Sequence, residues 1–151
     1  MYDRILVPTD GSEFAETAAE AAIELAKTMD ATVHAICVVE TGPLGSVSLP
    51  GDTASADDVL GERGDEYVTQ IADRAGELDV PVTTEVRQGV PVREIIDYAD
   101  DVDADVIVMG TRGRGGISRM MLGSVAEGVT RHSGRDVLIV SSDSAHVSTE
   151  Q

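Results

Sequence analysis

Residues 110–125 read Gly-Thr-Arg-Gly-Arg-Gly-Gly-Ile-Ser-Arg-Met-Met-Leu-Gly-Ser-Val, a stretch suited to holding phosphate groups. Glycines at 110, 113, 115 and 116 let backbone amides turn inward as an anion nest. The run then meets a helix-start signal at Gly123-Ser124, where unpaired N–H groups and the helix dipole attract anions. Ser124 adds a hydroxyl donor, and Arg112, Arg114 and Arg119 carry planar forks that match phosphate oxygens. Residues 112–135 hold five Arg and one Glu, a local charge of +4 in a chain whose net charge is −17. At roughly 4 Å and an effective dielectric near 20, each Arg–phosphate contact gains about 4 kcal/mol before desolvation. Distant carboxylates are screened by salt, so close contacts win over the repulsive overall field. Two blander readings stand beside this one. The glycines also suit a plain flexible loop, and the arginines can pair with carboxylates of this chain or of a second subunit.

Familiar phosphate loops do not fit. A Walker A loop needs Lys after its last glycine, and the only lysine is Lys27, far upstream. The dinucleotide fingerprint would follow the first strand, and from Gly113 the pattern lacks its last glycine at Ser118. A second candidate loop, Pro8-Thr9-Asp10-Gly11, offers a carboxylate. Asp10 suits Mg²⁺ bound through phosphates, or ribose hydroxyls; equally, three residues ahead of Glu13, it reads as a helix capping box.

These loops need elements to hold them. Arg4–Pro8 reads as a buried strand. A helix follows to about Met29, with Phe14, Ala18, Ala21, Ala22 and Leu25 on one face and Glu13, Glu16, Glu20 and Glu24 on the other. Thr32–Val39 is nearly continuous apolar, as in a parallel strand covered on both faces. Residues 41–52, rich in Gly, Pro and Ser, read as a long loop. A helix spans about 55–78 with Leu60, Tyr67, Ile71, Ala75 and Leu78 at helical spacing. Then come a strand at 82–86, a helix at 92–99 with Pro91 at its start, a strand at 105–110, a helix at 124–132 and a strand at 136–140. Residues 142–151 form a polar tail. Strict alternation of strand and helix demands crossovers, hence an α/β domain with an open parallel sheet and helices on both faces. Ligands of such sheets lie beyond the carboxyl ends of the strands, where the strand order reverses.

Composition narrows the partners. Leu, Ile, Val and Phe make up 38 of 151 residues, enough for one folded domain, expected over residues 1–141. With 28 Asp+Glu against 11 Lys+Arg, a nucleic-acid or anionic-membrane surface is excluded. Ten of the eleven basic residues are Arg, a composition like that of proteins from salt-loaded cytoplasms. Apolar runs such as Val106-Ile107-Val108-Met109 are too short to span a bilayer, and the start of the chain lacks signal-peptide architecture, so a cytoplasmic location is expected. Cys37, the one cysteine, reads as a buried thiol, and His34 as a satisfied core or edge histidine. His132 reads as complementing a helix C-terminus, and no residues have metal-ligand spacing. No Glu, Gln or His is placed to orient water for ATP hydrolysis.

One pattern matches at every interval. Gly110-x2-Gly113-x9-Gly123-Ser124 resembles the ATP-binding signature of the universal stress protein family, G-2x-G-9x-G-[S/T]. The opening run from Arg4 to Ser12, the block Gly89-x-Pro91 with Ile95, Ala99 and 105–110, and the closing 133–140 also look like that family, although proline is usual at the place of Asp136. The resemblance implies a Rossmann-like five-stranded sheet in the order 3-2-1-4-5 and a homodimer through the last strand, Asp136 to Val140. It places Pro8, Thr9, Asp10 and Val39 around the adenine nucleoside, and Gly110, Arg112, Gly113, Arg114, Gly115, Gly123, Ser124 and Val125 around the phosphates of ATP. Family binders often have Thr where this chain has Ala126, which removes one hydroxyl. The expected role is a nucleotide-dependent stress-response regulator acting through a protein partner. The alternatives are a slow ATP-hydrolysing or phosphotransfer enzyme on the same fold, and a dimeric scaffold without nucleotide.

Overall fold

A computed structural model describes residues 1–40, 56–111 and 123–141, with 56–60 described by their backbone alone. The order is β1 (Arg4–Pro8), α1 (Glu13–Met29), β2 (Thr32–Val39), α2 (Ala56–Glu77), β3 (Val82–Gln88), α3 (Pro91–Val102), β4 (Val106–Gly110), α4 (Ser124–His132) and β5 (Asp136–Val140). The sheet is parallel throughout, in the order β3-β2-β1-β4-β5. The expected fold is therefore the observed one. β1, the central strand, pairs Ile5 with both Val33 and Val106, and its Ile5, Leu6 and Val7 are wholly buried.

Alternation along the strands sorts the core into two layers. Ile5, Val7, Val33, Ala35 and Val108 pack with α1 and α2, whereas Leu6, Ile36 and Ile107 pack with α3 and α4. The buried face of α1 is built from Ala15, Ala18, Ala19, Ala22, Ile23 and Ala26. Short side chains bring this helix close to the sheet. The face expected from spacing is rotated: Ala18 and Ala22 are buried, but Phe14, Ala21 and Leu25 are only half-buried. The glutamates at 13, 16, 20 and 24 are exposed as expected, and Glu20 pairs with Arg74 across to α2. Leu78 falls beyond α2 and is 44% exposed, so it is not part of that helix's inner stripe. β3 and α3 run past their expected ends, to Gln88 and Val102.

Helix ends follow one device three times. Asp30, Asp79 and Asp103 adopt left-handed backbone at φ 57°, 58° and 55°, after α1, α2 and α3. The next residue, Ala31, Val80 or Ala104, is buried and donates its N–H back to Ala26, Ala75 or Ala99, each at 2.9 Å. At the start of the sheet, Asp105 Oδ2 accepts the N–H groups of Asp3 (2.7 Å) and Arg4 (2.9 Å), tying β1 to β4. Those two bonds hold its carboxyl below the usual range.

Candidate functional site

β1 and β4 are neighbours whose following helices lie on opposite faces of the sheet, so the strand order reverses between them. The loops after these two strands therefore open the crevice in which such sheets bind ligands. Both loops are the ones singled out by sequence.

The loop after β1 is held by short-range bonds. Thr9 is buried; its N–H donates to Ile36 O (2.8 Å) and its Oγ1 accepts from Gly11 N–H (3.1 Å). Asp10 Oδ1 accepts from Ser12 N–H (3.0 Å), an aspartate turn. Ser12, not Asp10, caps α1: its Oγ accepts from Ala15 N–H at 3.2 Å. The cap read onto Asp10 is thus taken by Ser12 two residues on, because the aspartate closes the preceding turn; with Ala15 three residues beyond Ser12, it is a simple cap and not a capping box. Gly11 takes φ +80°, a left-handed conformation that glycine supplies without steric cost. Pro8 ends β1 opposite Ile36, and Val39, buried at the end of β2, has its carbonyl engaged by Gly89 N–H at 3.0 Å.

The loop after β4 leaves from Gly110, where β4 meets the first turn of α1. A Cβ on Gly110 would lie 2.7 Å from Phe14 O and 2.8 Å from Phe14 C. Only glycine permits that approach, which draws the two loops together. Beyond it, Gly123 N–H donates to Thr111 O at 2.6 Å, pinching the glycine-rich loop at its base. Gly123 is the N-cap of α4, and among the described residues no side chain caps this helix. Its first N–H groups, on Ser124 and Val125, are therefore available to an anion. The methyl of Ala126 is buried in the core between α4 and the sheet, so the hydroxyl missing there would have stood on the core side of the helix.

Four of the candidates, Arg112, Gly113, Arg114 and Gly115, lie outside the described residues, as do Arg119, loop 41–52 and tail 142–151. The described arginines of the basic stretch are committed elsewhere. Arg131 pairs with Glu127 (2.9 Å), while Arg135 pairs with Asp100 (2.7 Å) and Asp103 (3.6 Å) and donates to Ala104 O. For these two, pairing with the chain's own carboxylates is the correct reading.

Cys37 is a buried thiol packed near Gly64, as expected. His132 sits in the last turn of α4. His34 is only half satisfied: its Nδ1 lies 2.6 Å from Thr83 Oγ1, but its buried Nε2 has no hydrogen-bond partner among the described residues. Burial, aided by Arg4, lowers its pKa. Tyr98 meets the His34 ring edge-on, with Arg87 4.9 Å above the tyrosine. Among the described residues no cluster of three or more His, Cys, Asp or Glu could hold a metal ion, and no helix is long and apolar enough to cross a membrane. Spacing did not disclose that the ring of Tyr67, read as core stripe, reaches Gly11.

Comparison with known proteins adds to this geometry. Residues 1–141 match the model of the Universal stress protein family. Universal stress protein MJ0531 of Methanocaldococcus jannaschii is 41% identical over 140 residues, spanning 93% of this chain and 82% of that one. Universal stress protein YxiE of Bacillus subtilis is 31% identical over 147 residues, spanning 93% and 99%. A universal stress protein solved in complex with cAMP superposes with a TM-score of 0.70 at 28% identity, covering 92% of this chain and 97% of the other.

Proposed function

The chain belongs to the universal stress protein family, and from that premise we propose that it binds ATP with Mg²⁺ in the crevice between the loops after β1 and β4. The observation that carries this reading is the start of α4. Among the described residues no side chain caps the helix, its N-cap Gly123 is bonded to Thr111 at the base of the glycine signature, and Gly110, one residue before Thr111, lies against Phe14 in the first turn of α1. An anion at that helix end gains dipole and N–H interactions that no described side chain uses.

In this reading Gly110, Arg112, Gly113, Arg114, Gly115, Gly123, Ser124 and Val125 hold the phosphates, and Pro8, Thr9, Asp10 and Val39 surround the nucleoside. Asp10 meets Mg²⁺ through the phosphates. The cAMP complex of a relative at 28% identity supports an adenine nucleotide as the ligand class. In this reading the arrangement binds and orients the nucleotide, which acts as a signal that biases contacts with a protein partner.

The protein works as a homodimer through β5 in this account. Among the described residues β5 is an edge strand paired on one side only, and its Leu138 is 44% exposed. A second copy would cover that edge. The acidic, lysine-poor composition fits a cytoplasm rich in salt, where the repulsion between its carboxylates is screened.

The test is a calorimetric titration with ATP and Mg²⁺ in about 2 M KCl, where the Debye length is roughly 2 Å, beside a Gly113→Val variant. Saturable binding by the parent and none by the variant supports the phosphate loop. A folded parent that takes up no nucleotide overturns it, as does a variant that binds equally well.

A further inference from the structure

Tyr67 stands on α2, half-buried, and reaches over to the loop after β1. A Cβ built on Gly11 would come closer than 3.0 Å to Cζ, Cε1 and Cε2 of its ring. The ring thus fills the volume that a side chain at position 11 would take. Gly11 is the residue of this loop that holds left-handed backbone, φ +80°. On either side of it lie the bonds that shape the loop, Gly11 N–H to Thr9 Oγ1 and Ser12 N–H to Asp10 Oδ1.

The surroundings show why a support is needed there. Between α1 and α2 lies a cavity of about 120 Å³ lined by Thr9, Gly11, Tyr67, Gln70, Ile71 and Arg74, among others. Without the ring, Gly11 would face a larger void, and a glycine free on both sides samples many conformations.

We infer that Tyr67 is a positioning residue for the nucleotide: its ring fixes Gly11, and through Gly11 the placement of Thr9 and Asp10. The inference rests on the nucleotide reading above and deepens it. A residue of α2, outside the signature and outside the two loops, then sets affinity for the nucleoside half of the ligand.

The experiment compares Tyr67→Leu, Tyr67→Phe and Val68→Ala with the parent. Leucine keeps apolar bulk toward the core but removes the ring over Gly11; phenylalanine keeps the ring. Val68 is buried in the same layer on the same helix but does not line the cavity, so its truncation reports a loss of stability alone. Two quantities are read: the Kd for Mg·ATP, and hydrogen exchange at the Gly11 and Ser12 amides without nucleotide. Tyr67→Leu is expected to weaken Mg·ATP about tenfold, the scale on which groups that orient ligand-holding residues act, and to speed exchange at both amides. Tyr67→Phe is expected to restore both quantities, and Val68→Ala to lower the Tm while leaving both near the parent's. Unchanged exchange in Tyr67→Leu, or a Val68→Ala variant that reproduces its effects, overturns the inference. If the parent itself takes up no nucleotide, the nucleotide reading falls, and amide exchange alone decides whether Tyr67 holds the loop.

Discussion

Replacing Gly110 by alanine would place a methyl carbon 2.7 Å from the carbonyl oxygen of Phe14, about 0.7 Å short of the 3.4 Å at which ordinary contact begins. The obstruction is backbone, in the first turn of a helix whose buried alanines already sit close on the sheet, so no rotamer change can relieve it. Overpacking of this kind costs about 1–3 kcal/mol, and a backbone obstacle belongs at the upper end. Alanine gives back about 0.5–1 kcal/mol by restricting the unfolded chain. The expected net loss is about 2 kcal/mol, a fall in Tm of about 4–8 °C for a domain of this size. Gly61 is the control: it lies in α2, and a Cβ there meets nothing within 4 Å. Gly61→Ala should therefore stabilise, by about 0.5–1 kcal/mol. Thermal and urea unfolding followed by circular dichroism, in one salt concentration for all three proteins, measures both effects. A Gly110→Ala protein as stable as the parent would refute the claim that this glycine is fixed by the approach of α1.

Three further outcomes are expected. The lowered pKa of His34 means that the unfolded chain takes up its proton first. Its stabilising contribution is thus complete above the unfolded pKa, near 6.5, and is lost as pH falls toward the folded value; His34→Val should flatten this slope in urea midpoints taken at pH 5, 6 and 7. Asp105 is likewise held low, so its contribution is present above the unfolded carboxyl pKa, about 4, and is lost below it. Asp105→Asn should destabilise at pH 7, and the gap to the parent should close as pH drops past 4 in the same assay. Asp79 has left-handed backbone and, among the described residues, no ion pair to keep it there, so Asp79→Gly should raise stability by about 1 kcal/mol, read as a rise in Tm.

The fold was legible because its signals are local. Continuous apolar strands, helical spacings and short connections specify alternation, and alternation leaves a parallel sheet with two covered faces. Details that depend on two distant segments were not legible. Helical spacing put Phe14 and Leu25 on the inner face of α1, but close packing against β4 selects the small residues Ala15, Ala19 and Ala26 instead. Asp10 and Ser12 both suit a cap, and which one serves is decided by the turn that Asp10 closes onto Ser12 N–H. Arg131 and Arg135 looked like part of a phosphate patch because sequence shows charge but not reach; their carboxylate partners are Glu127, one turn away, and Asp100 and Asp103, more than thirty residues upstream. Tyr67 has helical spacing like any core residue, and its meeting with Gly11 exists only once α2 is docked beside α1.

The central claim is that one nucleotide bridges the loop after β1 and the start of α4. Titrating Mg·ATP into ¹⁵N-labelled protein and following the amides of Asp10 and Gly11 together with those of Gly123, Ser124 and Val125 tests it most directly. The account predicts that both groups shift along one saturation curve with a single Kd. Shifts confined to one group, or to residues remote from both, would contradict it.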